Sequence, residues 1–272
     1  MRSAAGSAAP VWDAGTMTSS VTPSTSSPPE AWAHAGAPDR PALLLLHGFT
    51  GFPSSMLPLA RGLVDTGGSV SVPLLPGHGG SWRRLRRTGW ADWSGAALAE
   101  YDRLAAAHPS VVVAGLSMGG ALSLEVAAQR NPAGVVCINP ALYVDSPVAP
   151  LLPALWPFVP TVASIGGDIA KPGAQEEATD RTPVRAVASL HAGLRGLRQR
   201  LWCVDAPVTV CVSGSDGVVG PRSLRALRSG LPRAPRIVPL RRSRHVATLD
   251  WDAPLVEQQV REALAEAAEA GA

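Results

Sequence analysis

Four short runs in this chain are apolar at nearly every position: PALLLLHG from Pro41, SVVVAGLS from Ser110, GVVCINP from Gly134 and PVTVCVSG from Pro207. A strand with one wet face alternates apolar with polar residues. A strand this uniformly apolar must be buried on both faces, as in a parallel sheet. Stretches with helical spacing lie between the runs. SSMLPLARGLVDTG has Ser54 or Ser55 as its cap and Gly67 as its stop, and WADWSGAALAEYDRLAAAH, MGGALSLEVAAQR and PRSLRALRSG follow. A last helix is expected from about Asp252 to Ala270. SVSVPLLPGHG and RIVPL add strands, and EAWAHAG adds an edge strand. Strand–helix alternation of this kind implies an α/β fold with a mostly parallel central sheet covered by helices on both faces. With 272 residues, 46% of them hydrophobic, the chain can build one such domain around a sizeable core.

The alternation breaks between residues 141 and 200. That segment is Pro-rich, then polar (KPGAQEEATDRTP), then helical and basic. It is expected to be a small inserted cap, or lid, folded over one end of the sheet. Residues 31–140 and 201–272 then form the core. Residues 1–30, rich in Ser, Thr, Pro and Ala, have too few large apolar groups to pack and read as a flexible tail. The stretch SPVAPLLPALWPFVPTVASIGG is long and apolar enough to suggest a membrane span. Its five prolines exclude that reading, because each removes a helical hydrogen bond that hydrocarbon cannot replace. The N-terminus has no apolar core of a secretory signal, and Cys137 and Cys211 sit inside strand-like runs, so a reduced, cytoplasmic protein is expected.

The run VVVAGLSMGGALSLEVA sets Ser117 where a strand becomes a helix. In a parallel sheet covered on both faces, ligands bind at the C-terminal rim of the strands. Ser117 lies on that rim, inside the pattern G-x-S-x-G, which presents a serine on a strained turn and requires small neighbours. Gly115 and Gly119 supply the room, and the N-terminus of the next helix points unpaired N–H groups at whatever forms on the serine. The competing reading is a plain glycine-rich turn, which the placement between a strand and a helix argues against.

A serine hydroxyl needs a base, usually a histidine oriented by a carboxylate, in the chain order Ser, acid, His. Of six histidines, His47 and His78 precede Ser117, His108 reads as a helix C-terminal cap, and His191 lies in the insertion. His245, in RRSRHVATLD between the last strand and the last helix, reaches the right rim. Asp216 in VCVSGSDGVVGP follows a strand at that rim and is the favoured acid, with Asp145 after GVVCINP as its competitor. A developing oxyanion needs N–H donors in place beforehand. Met118 offers one, and the loop HGFTGFP, turned by Gly48 and Gly51, offers the other from Phe49.

Together, LLLLHGFTG, PLLPGHG, GLSMGG, SGSDGVVGP and RHVATLD resemble the α/β-hydrolase superfamily, in its bacterial carboxylesterase and monoacylglycerol lipase branch; DRTPVRAVASL resembles the cap of that branch. The resemblance covers about residues 40 to 270. It implies Ser117 as nucleophile, Asp216 as acid, His245 as base, Phe49 and Met118 as oxyanion donors, and a cap over the site. The N-terminal tail departs from it.

In the insertion, Leu151, Leu155, Trp156 and Phe158 are expected to line the substrate site and suit an acyl chain, or else to pack the cap onto the core. The expected function is hydrolysis of a carboxylic ester, such as a short- to medium-chain ester or a monoacylglycerol, through an acyl-enzyme. The same triad also serves a thioesterase or acyltransferase, and a silent member serves as a ligand-binding module. The arginine run Arg83, Arg84, Arg86 and Arg87 and the later Arg241, Arg242 and Arg244 read as solvated surface, with weak contact to a lipid surface as the alternative. A net charge of +3 without a recognition motif excludes a nucleic-acid footprint. No metal-ligand spacing or phosphate loop is present, so no metal and no cofactor are expected.

Overall fold

The structure, a computed structural model, describes residues 30–144, 159–164 and 166–271. Its strands are β1 Trp32–His34, β2 Ala42–Leu46, β3 Val70–Val72, β4 Val111–Leu116, β5 Gly134–Ile138, β6 Thr161–Ala163, β7 Arg181–Pro183, β8 Val208–Ser213 and β9 Arg236–Leu240. Its helices are α1 Leu57–Gly62, α2 Trp82–Leu85, α3 Trp90–Ala105, α4 Met118–Ala127, α5 Val184–Arg198, α6 Pro221–Gly230 and α7 Ala253–Ala270. Seven strands form one sheet in the order β1-β3-β2-β4-β5-β8-β9. All its pairs are parallel except the edge pair β1–β3, in which Trp32 lies opposite Val72.

The uniformly apolar runs are these central strands: β2, β4 and β5 are buried at every position, as expected, while Thr209 and Val212 of β8 are half-buried. Leu43 and Leu45 of β2 and Val112 and Ala114 of β4 face one layer, built with α1 and α7. Leu44 and Leu46 of β2 and Val111 and Val113 of β4 face the other, built with α3, α4 and α5. This is the period-2 alternation of a strand with both faces in a core. The helix after β2 therefore leaves on one face and the helix after β4 on the other. Between those two strands the sheet has its topological switch point, the place where an open parallel sheet forms a crevice.

Two local expectations need correction. The stretch after β2 is not one helix capped by Ser54 or Ser55. It is a 3-10 turn Pro53–Ser55, the short α1, and a second 3-10 turn Val64–Thr66 that closes on Gly67 at φ 86. Pro58 lacks an N–H and fits only the first turn of a helix, so α1 starts there. The Ser55 hydroxyl donates back to the Phe52 carbonyl at 2.9 Å instead of capping forward. His108 does not cap α3 either. Its Nδ1–H donates to the Arg40 carbonyl at 3.0 Å and pins the approach to β2.

Between β5 and β8 the described chain makes the antiparallel pair β6–β7 and then α5. Leu190, Leu194 and Leu197 of α5 join the core layer of Trp93 and Ala97 in α3. The same segment reaches the loop after β2: Gly51 bridges Ala178, and the Thr179 N–H donates to the Thr50 carbonyl at 2.8 Å. No helix among the described residues is long and apolar enough to cross a membrane. Leu151, Leu155, Trp156 and Phe158, and the competing acid Asp145, lie outside the described residues.

Candidate active site

Ser117 sits between β4 and α4 with φ 56 and ψ −114, a conformation that costs a non-glycine residue about 1–3 kcal/mol. The surroundings over-determine it. Its N–H donates to the Ile138 carbonyl at 2.9 Å, and its carbonyl accepts from Ala121 at 3.2 Å and Ala141 at 3.1 Å. The flanking glycines are required by contact. A Cβ on Gly115 would lie 2.2 Å from the Gly119 carbonyl carbon, and one on Gly119 would lie 2.0 Å from the Leu46 carbonyl oxygen. The helix thus starts directly against the end of β2, which brings the loop after β2 beside the serine.

That loop makes its left-handed turn at Thr50, φ 64, and not at Gly48 or Gly51 as the sequence suggests. The Thr50 hydroxyl donates to the Phe49 carbonyl at 2.6 Å, which holds the turn locally. Phe49 and Met118 both line the cavity that contains Ser117. Among the described residues, neither backbone N–H donates to another main-chain group.

His245 and Asp216 come together from the loops that follow β9 and β8. The His245 Nδ1–H donates to Asp216 Oδ2 at 2.9 Å, and only 9% and 5% of the two side chains are exposed. Asp216 Oδ1 accepts from Val218 and Val219, each at 2.8 Å, so its second oxygen faces the ring. With Nδ1 donating, Nε2 carries the lone pair. Ser117 and His245 line one cavity of about 420 Å³. The contact between a nucleophile and its base often tightens only in the reacting complex. The cavity walls are mainly apolar, from Leu116, Val144, Val162, Val187, Leu190 and Leu194.

Three further residues belong to the site that the sequence does not single out. Asn139, at φ 43 after β5, donates through its amide to the His245 carbonyl at 2.8 Å, the Arg244 carbonyl at 3.1 Å and Ser213 Oγ at 2.9 Å, and accepts from the Ser213 N–H at 2.8 Å. Glu176 lines the cavity, and burial pushes its carboxyl above the usual range. Asp168 also lines it and accepts from the His245 N–H at 3.3 Å. The one signal for Asn139 in the sequence is an amide at the exit of an apolar strand. No local pattern marks the other two.

His47 and His78 brace the floor. The His47 Nδ1–H donates to the Gly48 carbonyl at 3.0 Å, while its Nε2 accepts from Leu75 at 3.2 Å. His78 packs edge-on against Phe49 and Trp93 and donates to the Pro76 carbonyl at 3.2 Å. Burial pushes the two rings down from 6.5 to about 4 and about 3, so both are neutral when folded. In the unfolded chain they titrate near 6.5. Between those values only the unfolded state takes up the protons. Stability is therefore complete above about pH 6.5 and declines as the pH falls toward 4, by roughly 1 kcal/mol per pH unit for each ring. The thermal midpoint is expected to drop between pH 7 and pH 5. His78→Phe should flatten that acid slope; an unchanged slope in the variant refutes the assignment.

Among the described residues, no three His, Cys, Asp or Glu side chains cluster so as to hold a metal ion. Residues 43–271 match the model of the alpha/beta hydrolase family. The chain is 35% identical over 217 residues to a thermostable monoacylglycerol lipase of Bacillus sp. (strain H-257), covering 79% of this chain and 86% of that one. It is 25% identical over 226 residues to a carboxylesterase of Bacillus subtilis (strain 168), covering 82% and 92%. Among solved structures, one from work on LipS and LipT, two metagenome-derived lipolytic enzymes, superposes with a TM-score of 0.82 at 32% identity. It covers 88% of this chain and 98% of that one.

Proposed function

Because this chain belongs to the alpha/beta hydrolase family and is an ester hydrolase of the lipase type, we propose that it cleaves its ester through a covalent acyl-enzyme on Ser117. The observation that carries this reading is the buried His245–Asp216 pair at 2.9 Å, opening onto the same apolar cavity as the strained Ser117. Ser117 Oγ attacks the ester carbonyl while His245 Nε2 takes its proton. The tetrahedral intermediate collapses, the bond to the alcohol breaks, and His245 returns the proton to the leaving oxygen. Water then attacks the acyl-serine as His245 Nε2 takes its proton. The second tetrahedral intermediate collapses, the bond from Ser117 Oγ to the acyl carbon breaks, and His245 returns the proton to Ser117 Oγ as the acid leaves. Asp216 holds the ring in the tautomer this requires and stabilises the imidazolium. Phe49 and Met118 donate to the oxyanion, each such donor supplying about 2.7–4 kcal/mol.

The segment between β5 and β8 is the cap in this reading, with Val162, Val187, Leu190 and Leu194 receiving the acyl chain. Glu176 gives the cavity a polar wall, which suits the hydroxyls of a monoacylglycerol, the substrate class named for the relative at 35% identity. A thioesterase or acyltransferase uses the same machinery, and a substrate panel separates them.

The folded protein is expected to take one fluorophosphonate label. It should also hydrolyse p-nitrophenyl esters and monoacylglycerols with kcat/KM rising about fourfold per added methylene until the cavity is full. A folded protein that takes no label ends the proposal. Faster turnover of acyl thioesters than of matched esters would move the assignment to a thioesterase.

A further inference from the structure

We propose that Asp168, carried by the segment between β5 and β8, is a positioning residue for the His245–Asp216 pair, holding the main chains of both loops at once; this rests on the catalytic assignment above. Asp168 Oδ2 accepts from the Gly217 N–H at 2.8 Å and from the His245 N–H at 3.3 Å. Gly217 directly follows the acid, and His245 is the base itself. The main-chain carbonyl of Asp168 accepts from the Val246 N–H at 3.1 Å, and Oδ1 faces the Arg244 guanidinium at 3.4 Å. One residue from outside both loops thus spans them.

The grip is reciprocal. Asp250, which follows His245 in the connection to α7, reaches back to the segment that carries Asp168. It accepts from Ala170 at 2.7 Å and Lys171 at 2.9 Å, and also from Arg244 at 2.9 Å and Trp251 at 2.8 Å. On the sheet side, Asn139 holds the His245 carbonyl at 2.8 Å. The main chain of the base is therefore clamped at its N–H by the segment and at its C=O by the core. A hydrogen-bond network that spans separate chain segments fixes geometry in a way no single loop can.

Asp168 differs from an ordinary loop staple in where its charge sits. Its side chain is 19% exposed and lines the reaction cavity. Among the described residues, the titratable and charged groups around His245 are Asp216 on the ring, Asp168 at its N–H, Glu176 across the cavity and Arg244 beside it in the chain. Removing the Asp168 charge takes one anion from the surroundings of the imidazolium, which disfavours the protonated ring.

The test compares Asp168→Asn, Asp168→Glu and Asp250→Asn with wild type, each checked for its thermal midpoint, its kcat and KM, and the pH profile of kcat/KM. Asp168→Asn is expected to lower kcat about 10- to 100-fold with KM within about threefold, since small misplacements of reacting groups have effects of this size. Its acid limb should move to lower pH. Asp168→Glu keeps the charge and displaces it, so the limb stays and kcat falls; this arm decides the question if Asp168→Asn does not fold. Asp250→Asn loosens the same segment without touching the His245 or Gly217 N–H groups. It should lower the midpoint and leave the limb in place. A wild-type kcat and limb in Asp168→Asn overturn the proposal, as does an equal limb shift in Asp250→Asn. Failure of the wild type to label at Ser117 would instead bring down the catalytic assignment.

Discussion

Ser117→Ala is expected to lower kcat/KM for ester hydrolysis by at least about 10⁴-fold and to abolish fluorophosphonate labelling, without loss of the fold. Among the described residues, the contacts that seat Ser117 are made by its main chain, to Ile138, Ala121 and Ala141. Ser117→Gly sharpens the test. At φ 56 and ψ −114 a glycine is released from most of the strain, so this variant should be as inactive as Ser117→Ala yet more stable than wild type by about 1 kcal/mol. Stability gained together with activity lost is the signature of a strained catalytic position. Asp216→Asn should be reduced to a similar extent. Its Oδ1 is committed to Val218 and Val219, so the new amide must turn its N–H groups toward His245 Nδ1 and force the wrong tautomer. Activity in Ser117→Ala within tenfold of wild type would overturn the nucleophile assignment.

A large loss of stability is expected from Gly119→Ala. The added Cβ would lie 2.0 Å from the Leu46 carbonyl oxygen, 2.6 Å from its carbon and 2.8 Å from the His47 oxygen. All three are backbone atoms at the end of β2, so no rotamer change relieves the clash. Either α4 lifts away from the sheet or the loop carrying Phe49 moves. A cost of about 4 kcal/mol or more is expected, against a typical total of roughly 5–15 kcal/mol. Gly95→Ala is the control. That glycine lies inside α3, where a Cβ meets nothing within 4 Å, so alanine should add about 0.5–1 kcal/mol. Chemical denaturation of the purified variants measures both. A Gly119→Ala protein as stable as wild type would show that the close approach of α4 to β2 is wrong.

Much of the core is legible in the sequence because its cause is local. Leu43 to Leu46 and Val111 to Val113 declare a buried strand by having no polar face, and alternate members do enter opposite core layers. The placement of Ser117 is legible for a similar reason: backbone sterics admit the turn only with Gly115 and Gly119 around it. Where local rules compete, they mislead. Helical spacing after β2 conceals the interruption that Pro58 imposes, and Gly48 and Gly51 draw attention from Thr50, whose own hydroxyl stabilises the left-handed turn.

The strand–helix order, the turn that presents Ser117, and the candidates His245 and Asp216 can all be read from the residues, because chain order and strand ends place them on one rim. What steadies them emerges only on folding. Asn139 lies 106 residues from the histidine carbonyl it holds, and Asp168 lies 77 residues from the histidine N–H it accepts and 49 from Gly217. An amide or carboxylate with such partners looks in sequence like any other loop residue. Its role arises when separate loops close on the same few ångströms, and that convergence is a property of the packed chain.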